Sequence, residues 1–169
     1  ETLAAYEAML AGVTYANSSD DPATVSRTVE FIAEDPAGNA SAVATRTISV
    51  AAVNDPPRIT GTGATSATED QAYSFTAPVT DPDDAGHTFR LTQSPPWLTI
   101  GSSSGTIAGT PSEGDTGGTV EVEVEDGSGA TDTVAWNVTV TSVNDPPVIT
   151  SVAPAEADEG GVYDYRLAT

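Results

Sequence analysis

The chain has 169 residues, enough for one complete domain and parts of its neighbours. Asp and Glu total 25 against 5 Lys and Arg, and the net charge of -20 repels nucleic acid and anionic membranes while attracting divalent cations. The absence of Cys excludes disulfides and thiolate zinc sites, and no apolar run in this stretch is long enough to insert into a membrane.

The first predicted element is a short helix near the N-terminus. Four apolar residues recur at spacings of three and four and share one helical face: Leu3, Tyr6, Met9 and Leu10. Two runs rich in Thr and β-branched residues follow at 28–32 and 44–50. They predict a strand pair, with the helix acting as a crossover ahead of it.

An internal repeat follows the strand pair. The sequence VNDPPRIT at 53–60 returns as VNDPPVIT at 143–150, an offset of 144 − 54 = 90 residues. The same offset maps Glu69 onto Glu159 and Tyr73 onto Tyr163. A register held over this length predicts tandem domains.

The repeat sets the predicted domain boundaries. Residues 1–53 would be the C-terminal part of one repeat, 54–143 a complete domain, and 144–169 the start of a further repeat. The Asn-Asp-Pro-Pro linkers between them should be short and stiff, because proline fixes φ and holds the preceding residue extended.

Period-two patterns fill the complete domain. The clearest is 119–125, where Val alternates with Glu and predicts one buried and one solvated face. Further strands are predicted at 72–75, 87–91 and 133–140, separated by turns rich in Asp, Pro, Gly and Ser. Many short strands with such turns predict an all-β sandwich.

Several motifs resemble a known family. The sequence PPWL at 95–98, GTIAGTP at 105–111 and the closing linker are similar to bacterial cadherin-like domains of the dystroglycan type, also described as Ig-like domains. The first segment resembles the last half of a repeat from large bacterial surface adhesins, through YEAML at 6–10 and DPAGN at 35–39. The resemblance implies Ig-like or cadherin-like β-sandwich repeats in tandem.

In cadherins calcium lies between consecutive domains, and the resemblance implies a ligand set for it. That set combines a linker Asn-Asp pair, an Asp-x-Asp pair and an Asp before a Gly-rich turn: Asn54, Asp55, Asp81, Asp83 and Asp126. Oxygen ligands suit calcium, and this interpretation is favoured over the alternative that Asp81-Pro82-Asp83 is an ordinary turn. Ala52 replaces the usual linker Asp and the Leu-Asp-Arg-Glu motif is missing, so we expect one ion per junction rather than three.

Glu69, just ahead of a predicted strand, leaves two alternatives open. By family analogy it faces the junction at the other end of its domain, where it would join Asn144 and Asp145 as a calcium ligand. A charged strand edge that blocks aggregation explains Glu69 equally well.

Other notable side chains have simpler explanations. Glu121, Glu123 and Glu125 are interpreted as a solvated strand face, because the intervening valines claim the core. Trp97 and Trp136 are interpreted as core residues rather than sugar-stacking platforms. The remaining positions are predicted to lie at the surface without a site role: His87, Glu113 and Asp115.

The sequence therefore predicts a calcium-binding structural or adhesive repeat module of a large extracellular or cell-surface protein, and not an enzyme. Calcium would stiffen the junctions for cell or matrix adhesion, with like repeats, surface polysaccharide or matrix protein as partners. The alternative is a carbohydrate-binding or accessory module attached to a polysaccharide-degrading enzyme, since similar domains occur beside such enzymes. Solubility alone is a third explanation of the acidic composition.

Overall fold

The computed structural model describes residues 3–168, except the side chains of Leu3, Ala5 and Tyr6. Helix α1 spans Leu3–Ala11, and strands β1 (Arg27–Phe31) and β2 (Ala44–Ile48) form an antiparallel pair. The predicted helix and strand pair are therefore present. Leu3 and Tyr6, half of the predicted apolar helix face, lie outside the described side chains.

The other half of that helix face is largely exposed. Met9 is 69% exposed and Leu10 53% exposed, and both line an open cleft with Phe31 of β1 and the following Ile32. The helix approaches the hairpin, but the two elements alone do not close a core. Within residues 3–168 no helix has the length and apolar character needed to cross a membrane.

The central domain contains nine strands: β3 (Arg58–Ile59), β4 (Ser66–Thr68), β5 (Tyr73–Thr76), β6 (Val79–Thr80), β7 (Thr88–Gln93), β8 (Thr99–Ile100), β9 (Thr106–Gly109), β10 (Gly118–Glu125) and β11 (Thr131–Thr141). One sheet has the order β4-β11-β10-β7, with β4 parallel to β11. The opposing strands form one two-stranded sheet, β3-β6, and one three-stranded sheet, β5-β9-β8. Strands β3, β4, β6 and β8 carry two or three residues, too few for a period-two pattern, and were not predicted; β9 was not predicted either.

The core lies between these sheets and follows the alternation of β10. Val120, Val122 and Val124 are fully buried, while the intervening glutamates remain partly or fully exposed. Ile107 of β9 is also fully buried from the opposite side. The predicted buried and solvated faces of β10 are thus confirmed.

Trp136 is buried as predicted, and Trp97 is half-buried. Trp136 donates from Nε1 to the hydroxyl of Tyr73 over 3.3 Å, and that hydroxyl donates to the carbonyl of Ala64. Trp97 meets the Tyr73 ring edge-on and donates to the carbonyl of Thr116. Both indoles therefore help join the two layers of the sandwich.

The third segment repeats local contacts of the central domain. Thr60 donates its N–H to the carbonyl of Pro78 over 2.9 Å, and 90 residues later Thr150 donates to Ala168 over 3.0 Å. The tyrosine contact recurs too, since Tyr163 donates to the carbonyl of Pro154 over 2.8 Å. The sequence repeat is therefore also a repeat of hydrogen bonds, although no strand is assigned between residues 144 and 168.

Candidate metal centres

Glu69 lies at the end of the sandwich where β11 runs into the second linker. It follows β4, which pairs in parallel with the end of β11, and its N–H donates to the carbonyl of Thr141 over 3.0 Å. The next residue, Asp70, has a φ of 60°, a strained left-handed conformation held by a hydrogen bond from its N–H to Pro111. This turn directs Glu69 inward, and the residue is only 1% exposed.

Three carboxylates converge at this end of the domain. Oxygen atoms of Glu69, Glu113 and Asp145 all lie within 4.8 Å of one another. Two oxygens on opposite sides of a calcium ion, each about 2.4 Å from it, would be separated by the same distance. The spacing therefore suits one cation held between a strand end, a loop and the linker.

The two oxygens of Glu69 have different environments. Oε2 accepts a hydrogen bond from the N–H of Val143 over 2.8 Å, which ties the side chain to the linker. Oε1 is buried and receives no hydrogen bond. A buried polar atom without a partner is costly. A cation bound beside this oxygen would supply the missing partner.

The pKa of Glu113 is affected by the same neighbouring carboxylates. The negative charge of Glu69 raises the pKa of the Glu113 carboxyl, with further contributions from burial and from the charge of Asp145. A raised pKa means that the ionised form is disfavoured there without a counter-charge. Glu113 is exposed as predicted, and its carboxylate in addition lies within 4.8 Å of those of Glu69 and Asp145.

The side chain of Asn144 makes a local contact in the linker. Its Nδ2 donates over 3.4 Å to the carbonyl of its neighbour, Asp145. Of the three residues predicted for this junction, the structure thus brings Glu69 and Asp145 together and adds Glu113. Asp115, also predicted to be exposed, is half-buried and accepts the N–H of Ser112 over 2.7 Å, which shapes the Glu113 loop.

At the opposite end of the sandwich, Asp81 organises the loop between β6 and β7. Its Oδ1 accepts the N–H groups of Asp83 and Asp84 over 2.9 and 3.1 Å. The hydrogen bond from Asp83 leads the contributions that lower the pKa of Asp81, and His87 adds to them. The turn predicted at Asp81-Pro82-Asp83 is real, and it also directs carboxylates toward the first linker.

The interpretation of His87 as a surface strand residue is wrong. The residue lies just before β7, its side chain is 12% exposed, and Nε2 lies 3.1 Å from Oδ2 of Asp81. The imidazole therefore belongs to the aspartate loop and supports one of the predicted ligands.

Asp126 holds the first linker from the turn between β10 and β11. Its Oδ1 accepts the N–H groups of Ser128 and Ala130, each over 2.8 Å, and its Oδ2 accepts Nδ2 of Asn54 over 2.8 Å. The contact with Asn54 is the main reason that the pKa of Asp126 is lowered. Gly129 completes the turn with a φ of 87°, a conformation that suits glycine.

Asp83 completes the contact between the loop and the linker. Its Oδ2 accepts the N–H of Asp55 over 2.5 Å, whereas its Oδ1 is buried and receives no hydrogen bond. The five residues predicted for this junction are thus brought to one end of the domain. Their carboxylates are less tightly grouped than the Glu69 cluster, which is the one set within residues 3–168 with three such oxygens mutually within 4.8 Å.

Asp84 was missed by the sequence reasoning. Its Oδ2 accepts the N–H of Gly127 over 3.1 Å, so it connects the aspartate loop to the Asp126 turn. Hydrogen bonds from Gly86 and Gly127 lower its pKa. The sequence also did not indicate that Glu113 belongs to a site. No pattern in its loop predicts that Glu69, 44 residues earlier in the chain, lies close to it.

Comparison with known proteins supports the fold. A family model described as a putative Ig domain matches residues 56–141, just over half of the chain. The chain belongs to that family. The resemblance to cadherin-like and Ig-like repeats, and the predicted all-β sandwich, are confirmed.

Among solved structures, the extracellular cadherin domains 1–5 of Protocadherin Gamma B2 match at 17% identity and a TM-score of 0.50, over 75% of this chain and 33% of that one. The human Desmocollin-1 ectodomain matches at 16% identity and a TM-score of 0.44, over 68% of this chain and 26% of that one. An endo-fucoidan hydrolase of glycoside hydrolase family 107 matches at 17% identity and a TM-score of 0.38, over 70% of this chain and 22% of that one.

The chain thus spans a third or less of each of these three structures. The likeness to the Protocadherin Gamma B2 domains supports the fold and not an activity. No curated protein matches the chain in sequence.

Proposed function

We propose that the chain is a calcium-stiffened stretch of tandem sandwich repeats from an extracellular or cell-surface protein, with a structural or adhesive role. One observation carries the proposal. Within residues 3–168, the buried side-chain oxygens that receive no hydrogen bond are Oε1 of Glu69 and Oδ1 of Asp83. They belong to carboxylates at opposite ends of one domain, and each carboxylate also accepts an N–H from the adjoining linker.

Protein cations do not neutralise either group. No ion pair within residues 3–168 includes Glu69 or Asp83: His87 pairs with Asp81, and Arg90 pairs with Glu123 on the outer face of β10. A buried carboxylate oxygen without a partner is costly, and a bound cation removes that cost. In a chain of net charge -20, a divalent cation is the effective partner.

The residues at the two ends would make different contributions. At the first junction Asp81, Asp83 and Asp126 would hold calcium from the domain that follows the linker, with Asn54 and Asp55 contributed by the linker itself. At the second junction Glu69 and Glu113 would hold it from the domain that precedes the linker, together with Asp145. Bound calcium supplies the positive charge that these crowded oxygens lack.

Tandem organisation is the second part of the proposal. The recurrence of the Thr60 and Tyr73 hydrogen bonds at Thr150 and Tyr163 supports 144–169 as the start of a further repeat. With 1–53 as the end of a preceding repeat, both linkers connect like units. A cation shared between a domain and its linker would then limit bending at each linker and extend the array.

Calcium should also stabilise the fold. A ligand that binds only the folded state adds RT ln(1 + [Ca]/Kd), about 2.7 kcal/mol at one hundred times Kd. Without calcium, the acidic domains repel each other and the junctions loosen.

Isothermal titration calorimetry on the whole chain tests the proposal. We expect saturable calcium binding at millimolar or lower concentration, weakened about tenfold or more by Asp83→Asn, because a ligand charge is lost. Glu125→Gln, which removes an exposed charge at the end of β10, should bind as the parent does. A parent chain that binds no calcium at several millimolar would rule the proposal out.

A further inference from the structure

The hairpin β1–β2 has the same turn as the hairpin β10–β11. Asp35 accepts two N–H groups of its own turn on Oδ1, each over 2.9 Å, and Asp126 accepts two in the same way. Gly38 of the first turn has a φ of 88°, and Gly129 of the second has a φ of 87°. The first segment therefore contains a counterpart of β10 and β11, the two longest strands of the central sandwich.

The pairing of the strands extends this correspondence to the core. Phe31 lies opposite Ala44 in β1–β2, as Val122 lies opposite Val134 in β10–β11. Val122 is fully buried under the opposing sheets, whereas Phe31 is half-buried and lines the open cleft beside α1. The core-facing side of β1 is thus less covered than that of β10.

Residues 144–168 correspond to the strands that cover β10 and β11. At the 90-residue offset they align with the part of the central domain that contains β3, β4 and β5, and β4 pairs directly with β11. Ile149 is 59% exposed where its counterpart Ile59 is 8% exposed, and Tyr163 is 51% exposed where Tyr73 is 6% exposed. The first and third segments therefore expose apolar side chains that match the two contacting halves of one sandwich.

We infer that β1–β2 of one copy of this chain binds residues 144–168 of a second copy, as β10–β11 binds β3, β4 and β5 within the central domain. A second copy is the occupant because each copy holds its own two segments apart. The linkers that carry them leave the central sandwich at opposite ends, one beside Asp83 and the other beside Glu69. The inference uses the tandem organisation of the proposed function and is independent of calcium.

The charges of the two segments are complementary. Strands β1 and β2 contain two arginines and one glutamate, a net charge of 2 − 1 = +1 in a chain whose total is -20. Residues 144–169 contain one arginine and five acidic residues, a net charge of 1 − 5 = -4. The contact joins two different surfaces, so it is head-to-tail and can add further copies to an open array.

The central domain predicts the register of this contact. Val140 at the end of β11 lies opposite Ala67 of β4, and at the 90-residue offset these positions are Val50 and Ala157. Neighbouring strands lie about 5 Å apart, within the reach of a disulfide. The chain has no Cys, so Val50→Cys and Ala157→Cys can be placed in separate copies, mixed and oxidised. The mixed disulfide should form in preference to either homodimer, and Ser103→Cys, at an exposed position of the central domain, should show no such preference for Ala157→Cys.

Sedimentation velocity on the whole chain tests the association itself, in EGTA so that calcium plays no part. The parent should form dimers and larger assemblies as its concentration rises. Ile149→Asp should weaken this association about tenfold or more, because it places a charge in the buried contact. Ile149 is exposed within one copy, so the change leaves the fold of that copy intact. Val162→Asp is the matched control and should associate as the parent does, because Val162 is 94% exposed and its counterpart Ala72 is exposed as well.

Mixing two defective variants tests the head-to-tail geometry. Phe31→Asp and Ile149→Asp should each remain monomeric, yet each keeps the surface that the other lacks. Their mixture should therefore form a dimer of one copy of each and nothing larger.

The outcomes also separate this inference from the proposed function. A parent that stays monomeric in EGTA, or an Ile149→Asp variant that associates as Val162→Asp does, overturns the inference. Equal disulfide formation by Val50→Cys and Ser103→Cys with Ala157→Cys overturns it too. In each case saturable calcium binding by the same chain would leave the proposed calcium sites standing.

Discussion

Replacing Glu69 by Gln should stabilise the calcium-free chain, although it removes a proposed ligand. In the parent, the charged Oε1 is buried without a donor, and such a group costs about 1–3 kcal/mol or more. In Glu69→Gln the amide oxygen can still accept the N–H of Val143. The amide nitrogen would then face oxygens of Glu113 and Asp145, which lie within 4.8 Å of the original carboxylate. The variant thus replaces an unsatisfied buried oxygen by an amide group that can donate hydrogen bonds to the neighbouring carboxylates.

The expected shift is measurable by differential scanning calorimetry. For a domain of this size 1 kcal/mol corresponds to about 4–8 °C in Tm, so in EGTA the Tm of Glu69→Gln should exceed the parent's by at least about 4 °C. Saturating calcium should raise the parent's Tm more than the variant's, since the variant has lost a ligand. Glu125→Gln serves as the control for charge alone. A lower Tm for Glu69→Gln in EGTA would refute the reasoning that this carboxylate is unsatisfied.

Three further changes probe other parts of the structure. Val122→Ala should lower the free energy of unfolding by about 2–3 kcal/mol in urea titrations, because Val122 is fully buried. Gly129→Ala should cost about 1–2 kcal/mol by the same assay and weaken calcium at the first junction, because φ there is 87°. In EGTA, Tm should fall as the pH drops below 3.8, because hydrogen bonds lower the pKa of Asp126. Tm should also fall as the pH rises above 4.5, because the pKa of Glu113 is raised, and Glu113→Gln should reduce that second fall.

The fold was largely predictable because long strands carry their pattern locally. The Val–Glu alternation at 119–125 predicted which face of β10 is buried, and the 90-residue repeat predicts where the linkers lie. Strands such as β3 and β6, with two residues each, have no readable period and depend on contacts made elsewhere in the chain. The position of the helix was predicted correctly. The exposure of Met9 and Leu10 shows, however, that an apolar helix face does not by itself identify the surface that packs against it.

The candidate sites were predictable where a family motif supplied the residues. The five first-junction residues lie at one end of the domain as that motif implies, and Glu69 is buried toward Asp145. Glu113 and Asp84 could not be found this way, because their roles depend on the distance between loops that are far apart in sequence. His87 was misassigned for the same reason: its partner, Asp81, is set by the loop conformation and not by strand alternation.

The most direct test of the junction mechanism is a distance measurement between repeats. The chain has no Cys, so spin labels can be placed at the exposed positions Ala42 and Ser103 through Ala42→Cys and Ser103→Cys. Double electron–electron resonance should give a broad distance distribution in EGTA that narrows to a single peak when calcium saturates the sites. A distribution that is equally broad with and without calcium would contradict the proposal that calcium fixes neighbouring repeats.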